Sequence, residues 1–200
     1  MNQQEGGLPC LSEVMHQALN AKNERVLLEV IEKYSFEDIQ KCFEQEPTLF
    51  HRICAQGFHT LATFFLEAAH IDPTIKHEGR TALQWACLNG HQDIVQLLLP
   101  TSIMEQRVWQ DNSEFYSASL AGNIEIIRCL FQQHSYLLKD DEVRTSLLYA
   151  ACIGGNIDVV KFWLIPGMDV NKPVELVSAL RNCELMVPLY AACEGMIFLS

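Results

Sequence analysis

Four short segments of the chain share one pattern of apolar, small and polar positions: TLFHRICAQGF from Thr48, TALQWACLNGH from Thr81, SEFYSASLAGN from Ser113 and SLLYAACIGGN from Ser146. Their common glycines, Gly57, Gly90, Gly122 and Gly155, are separated by 33, 32 and 33 residues. Past each glycine, apolar residues return in two pairs. The pairs are Leu61, Ala62 with Phe64, Phe65; Ile94, Val95 with Leu97, Leu98; Ile126, Ile127 with Cys129, Leu130; and Val159, Val160 with Phe162, Trp163. The residue between the pairs is polar: Thr63, Gln96, Arg128 or Lys161. Spacing i, i+1, i+3, i+4 is one face of a helix. A glycine ahead of it suits a left-handed turn that closes a preceding short helix. The predicted unit is therefore helix, tight turn, helix and loop. One such unit cannot bury its apolar face alone, so the units must stack.

These residues resemble the ankyrin repeat, whose pattern is T-P-L-H-x-A-A-x-x-G-H, an amphipathic helix ending in L-L, a G-A-D-V-N stretch and a D-x-x-G hairpin. The best copy is GRTALQWACLNGHQDIVQLLL, Gly79 to Leu99. PGMDVNKP, Pro166 to Pro173, matches G-A-D-V-N, and Asp72 to Lys76 resembles its D-P-N-I-K variant. The resemblance covers roughly residues 45–173. It departs from the family where the proline of T-P-L-H is Leu49, Ala82, Glu114 or Leu147, and where its histidine, kept as His51, becomes Gln84, Tyr116 or Tyr149. The resemblance implies an all-α solenoid of paired antiparallel helices with short hairpin loops, less regular than the family norm.

Upstream, Leu27, Leu28, Val30 and Ile31 repeat the second-helix pattern, with Asn23 in the glycine's place. Asn is the next-best residue for a left-handed turn. Ser35, followed by Glu37 and Asp38, predicts the cap of a short extra helix over 36–44. Downstream, PLYAAC from Pro188 restarts the motif about eight residues late, and Val174 to Cys183 are expected to add a helical turn. The expected divisions are a frayed terminus at 1–10; a capping repeat with the extra helix at 11–44; repeats at 45–78, 79–110, 111–143 and 144–173; an insert at 174–187; and a partial repeat at 188–200. The end, Met196 to Leu199, is apolar where a solenoid normally closes with a polar cap, so the natural chain is expected to continue.

Composition narrows the chemistry. Apolar residues make up 49% and charged residues 20% of 200, which suits a globular chain rather than a disordered one. No run approaches a membrane span, and the start, MNQQEGGLPC, has no secretory signature. The net charge of −11 opposes binding to phosphate backbones and anionic membranes, so neither nucleic acid nor membrane is expected as a partner. The eight cysteines show no C-x-x-C, and a reducing compartment is the default. Cys54, Cys87, Cys152 and Cys193 occupy one repeat position, the second alanine of A-A, with Ser119 in the same slot. A free thiol there acts as a small apolar packer. Asp93, Glu125 and Asp158 recur in the first turn of the second helices, where an acid meets the positive end of the dipole. The sequence holds no H-E-x-x-H, G-x-S-x-G or G-x-x-x-x-G-K. No catalytic residue, metal or cofactor is therefore expected.

The family resemblance implies a non-catalytic scaffold that binds a protein through a concave face of first helices and hairpin tips. The alternatives are a targeting arm of a longer enzyme, or an ankyrin-type effector that an intracellular bacterium delivers into host cytosol. Cytoplasmic location is expected, with a monomer unless the C-terminal half repeat dimerises. The partner segment is expected to be basic, from the charge, or apolar. By the family pattern the two residues before the turn glycine face the groove, which selects Leu88, Asn89, Leu120 and Ile153. The same alignment puts His77, Glu78 and Arg80, then Trp109, Gln110 and Asn112, then Glu142, Val143 and Thr145 at hairpin tips. Leu88, Leu120 and Ile153 form either an apolar groove floor or a packed seam between first helices. One measurement checks the reading of the cysteines: elemental analysis of the purified protein is expected to find no stoichiometric zinc, and thiol titration under denaturing conditions no disulfide.

Overall fold

The computed structural model describes residues 10–67, 71–101, 113–135, 141–164 and 166, with 174–175 and 185–186. Its helices pair along the chain: α1 (Leu11–Asn20) with α2 (Glu24–Ile31), α4 (Thr48–Ala55) with α5 (His59–Glu67), α6 (Ala82–Asn89) with α7 (Gln92–Leu98), α8 (Glu114–Leu120) with α9 (Ile124–His134), and α10 (Asp141–Gly154) with α11 (Ile157–Trp163). A further helix, α3 (Phe36–Gln45), lies between the first two pairs. Among the first helices, α4, α6, α8 and α10 touch in chain order, and so do α5, α7 and α9 among the second. The architecture is an all-α solenoid.

Local chemistry sets the helix starts. Ser35 caps α3 by accepting from the Asp38 N–H. Thr81 and Gln84 form a reciprocal capping box on α6, and Ser113 caps α8. Asp93, Glu125 and Asp158 each fall in the first turn of a second helix. The helix pairs turn through Gly57, Gly90, Gly122 and Gly155, all left-handed with φ between 69° and 80°. In the first pair the expectation for Asn23 is corrected. Lys22 takes the left-handed conformation, φ 51°, while Asn23 is extended and its side chain accepts from the Val26 N–H at 3.3 Å. Asn gains a cap bond at that position, which outweighs its preference for a left-handed turn.

Polar bonds run from repeat to repeat at these turns. Asn123 Nδ2 donates to the Cys87 carbonyl at 3.1 Å, and Asn156 Nδ2 to the Gly122 carbonyl at 3.0 Å. His91 Nε2 lies 2.9 Å from the Ala55 carbonyl. These three side chains stand on the glycines of the repeat before. A Cβ at Gly57 would lie 2.5 Å from the His91 ring, at Gly90 3.0 Å from Asn123, and at Gly122 2.9 Å from Asn156.

Under the turns lies one continuous core, with Leu49, Ile53, Phe65, Leu83, Ile94, Phe115, Ile127, Leu147 and Trp163 all buried. Cys54 and Cys87 sit fully buried in the small-residue slot, and burial pushes both thiols well above their ordinary range. Cys42 is raised to about 11, by burial first and then by Glu46 and Cys10. All six described cysteines are free. Ser119 occupies the same slot and accepts from the Trp163 indole Nε1 at 2.9 Å. Cys152 is half-buried on α10, the last first-helix among the described residues.

Three expectations change near the C-terminal part. Residues 141–145 do not form a hairpin tip. They begin α10, which crosses the expected repeat boundary at 143/144. Val143 and Thr145 are 1% and 2% exposed, and Thr145 Oγ1 donates back to the Asp141 carbonyl at 2.7 Å. Val174 and Glu175, expected in a helical turn, are extended and pair antiparallel with Met186 and Leu185. The expected frayed residues 1–9 and partial repeat 188–200 lie outside the described residues, as do Cys183 and Cys193.

Gly154 has a separate role. A Cβ there would lie 2.1 Å from the Leu120 carbonyl oxygen, so its absence lets the end of α10 approach the α8 backbone. Gly154→Ala is expected to cost about 1–3 kcal/mol, since rigid backbone must give way. Thermal unfolding followed by circular dichroism reads this as a midpoint several degrees lower.

Candidate functional site

Burial on the first helices leaves one stripe uncovered. On α6 it consists of Trp85, Leu88 and Asn89, spaced i, i+3, i+4, while Ala82, Leu83, Gln84, Ala86 and Cys87 are buried. The matching positions are Arg52 and Ala55 on α4, Leu120 and Ala121 on α8, and Ile153 and Gly154 on α10. Leu88 and Leu120 are half-buried, and Leu120 also packs on the core. Ile153 is 40% exposed. Leu120 thus belongs to the packed seam, while Ile153 lies on the surface.

The hairpin before α6 forms one edge of this stripe. His77 and Arg80 exchange backbone bonds of 2.8 and 3.0 Å, and the residues between them, Glu78 and Gly79, are both left-handed at φ 51° and 75°. That is the backbone of a tight two-residue hairpin. The Arg80 guanidinium folds over the Trp85 ring, 5.3 Å from its centroid. His77 packs its ring 5.7 Å from that of His51. The buried His51 ring lies 3.1 Å from the Pro47 carbonyl and 2.7 Å from the Ile75 carbonyl, which anchors the approach to the hairpin. In the next repeat Gln84 takes the histidine's position and donates to buried Glu114 at 3.1 Å.

Of the expected tip residues, His77, Glu78 and Arg80 are brought together. Val143 and Thr145 are buried in α10, and Glu142 belongs to the same helix, so that trio makes no tip. Trp109, Gln110 and Asn112 lie outside the described residues. Trp85 and Arg52 are absent from the expected set, although Trp85, Leu88 and Asn89 already share a helical face in the sequence.

A polar network closes the seam between the first two pairs. Ser12 Oγ donates to Glu46 Oε1 at 2.6 Å, and His16 Nε2 lies 2.7 Å from Glu46 Oε2. Arg52 donates to His16 Nδ1 and, at 2.7 Å, to Asn20 Oδ1. Arg52 therefore assigns Nδ1 as the acceptor, and Nε2–H points at Glu46. Serine, histidine and carboxylate are all present, but the hydroxyl is bonded to the carboxylate instead of the imidazole. The imidazole is not placed to take the serine proton, as nucleophilic catalysis requires. No cluster of metal-ligating side chains occurs among the described residues, and none of their helices is long and apolar enough to cross a membrane.

Residues 15–112 match the family model for ankyrin repeats, in three copies. Residues 15–112 carry ankyrin repeats, and the fold is the ankyrin solenoid. Among solved structures, the human ASB11 ankyrin repeat domain is similar at a TM-score of 0.57 and 24% identity, over 89% of this chain and 76% of that one. None of the curated proteins compared with the chain matches it. Ankyrin repeats are in general protein-interaction modules and typically non-catalytic.

The network carries a pH dependence. Hydrogen bonds from Ser12 and His16 hold the Glu46 carboxyl below its ordinary 4.5. A carboxylate depressed by folding stabilises above its unfolded value, and that contribution is lost as pH falls through the folded one. Glu46→Gln is therefore expected to be less stable than the parent at pH 7. The gap should narrow below about pH 4.5, as urea titrations across pH would show.

Proposed function

We propose that the chain is a non-catalytic scaffold that binds a protein segment along its first-helix face, with the His77–Arg80 hairpin as one edge. The observation that carries this is the Trp85, Leu88, Asn89 stripe, continued by Leu120 and Ile153, beside an arginine held over a tryptophan face. An aromatic and an arginine beside aliphatic surface have the composition of a binding hot spot. Asn89, Leu88, Leu120 and Ile153 supply the floor and His77, Glu78 and Arg80 the rim. Trp109, Gln110 and Asn112 extend the rim on the sequence pattern alone. A reducing cytoplasm suits a chain whose described cysteines are all free.

The test compares two faces of the same molecule. The double variant Leu88→Asp, Ile153→Asp charges the first-helix face. Phe64→Asp, Phe131→Asp charges equally exposed aromatics on α5 and α9. Proteins cross-linked to the wild-type chain in lysate are expected to be lost from the first variant and kept by the second, with the helical circular dichroism signal intact in both. Retention by the first and loss from the second would assign binding to the second-helix face and end this reading.

A further inference from the structure

We infer that Arg80 and Trp85 form a carboxylate-reading subsite, which takes an acidic side chain from an extended partner segment whose aliphatic side chains lie along Leu88, Leu120 and Ile153. This rests on the first-helix binding face proposed above and adds the chemistry of its partner. Three other described arginines hold an acceptor: Arg25 reaches Glu29, Arg52 reaches Asn20 and His16, and Arg144 reaches Asp141. Arg128 stands on the exposed side of α9. Arg80 is half-buried at the hairpin, and among the described residues its side chain makes no ion pair or hydrogen bond. Its Nε is covered and has no acceptor, and so is Trp85 Nε1 beside it. A partner's oxygen cannot reach those two covered atoms, so the donors that read it are the outer Nη1 and Nη2 groups of Arg80, which bond to no described residue.

The geometry favours a carboxylate. A guanidinium is a planar fork that matches two carboxylate oxygens, and stacking on an aromatic face fixes its plane before the ligand arrives. The hairpin fixes its position, because Arg80 closes the turn through both of its backbone groups. Glu78 stands on the same turn and opposes the higher charge of a phosphate more than that of a single carboxylate.

Spacing adds a second constraint. Neighbouring first helices lie about 10 Å apart, and an extended chain advances about 3.3 Å per residue. Aliphatics over Leu88 and Leu120, the same slot in successive repeats, therefore stand about three residues apart, with the acid over Arg80 beyond the Leu88 end.

A random twelve-residue peptide library displayed on phage and panned on the immobilised full chain tests this. Enriched peptides are expected to carry two aliphatic residues about three positions apart, with an acidic residue to one side of them. Synthetic copies should bind Arg80→Gln roughly tenfold more weakly, the loss expected for one charge-assisted contact. Changing the peptide's acid to its amide should weaken binding to the wild-type chain and leave binding to Arg80→Gln unchanged. Arg80→Lys, which keeps the charge without the fork, should fall between, and thermal midpoints confirm that each variant folds. If the enriched peptides carry no acid, or bind Arg80→Gln as well as the wild type, the subsite is wrong while the groove stands. If they bind the Leu88→Asp, Ile153→Asp variant undiminished, the groove reading itself fails.

Discussion

Missing side chains at the turns make this solenoid continuous. Four of the left-handed turns use a glycine, which carries no Cβ penalty, and at three of them the same vacancy receives the next repeat. His91 stands where a Cβ of Gly57 would be, Asn123 over Gly90 and Asn156 over Gly122. Each of these side chains reaches a carbonyl near the end of a first helix in the preceding repeat, where helix geometry leaves carbonyls without intrahelical donors. One glycine thus serves the turn and the inter-repeat contact together, and the polar bond fixes how far one repeat rotates against the next.

The seam between first helices follows from that spacing. Helices held this close admit only small residues at the slot filled by Cys54, Cys87, Ser119 and Cys152. A thiol there has no acceptor to satisfy and packs as an apolar group, consistent with burial raising Cys54 and Cys87. Serine at 119 has a hydroxyl to satisfy, and it accepts the indole N–H of Trp163 in the next repeat. Trp163 is a large residue at the end of α11, so its ring ties a second helix to the first helix of its neighbour. Gly154 continues the same logic, giving up even a methyl group so that α10 can reach the Leu120 carbonyl.

The repeat period, the turn glycines, the Ser35 cap and the cysteine slot were all legible in the sequence, because each rests on local spacing. The exceptions are places where two local preferences compete. Asn23 suits both a left-handed turn and a helix cap, and the cap bond to Val26 decides the register, leaving the turn to Lys22. Residues 141–145 align with a hairpin by the glycine count. Yet Val143, Leu147, Ala150 and Ala151 keep the helical period without a break, and all are buried. Continuous burial won over the family alignment there. Trp85 lies outside the expected set because the family pattern marks the two positions before the glycine, whereas the exposed stripe of α6 begins one turn earlier.

Net charge and site charge point in opposite directions. The chain carries −11, which favours a basic partner at long range. Its exposed acids include Glu13, Glu29, Glu37, Asp38 and Glu44 on the first three helices, and Asp93, Glu125 and Asp158 at the starts of second helices. At physiological salt such charges are screened beyond about 8 Å. At contact, the groups that lose water decide the chemistry, since the effective dielectric falls there. On the hairpin that group is the Arg80 guanidinium, a donor held over the Trp85 ring. An acidic side chain arriving there pays a modest approach penalty against those acids and gains a charge-assisted bond where solvent is excluded. Glu78 on the same turn then acts as a filter, disfavouring a second negative charge beside the one side chain the fork can hold.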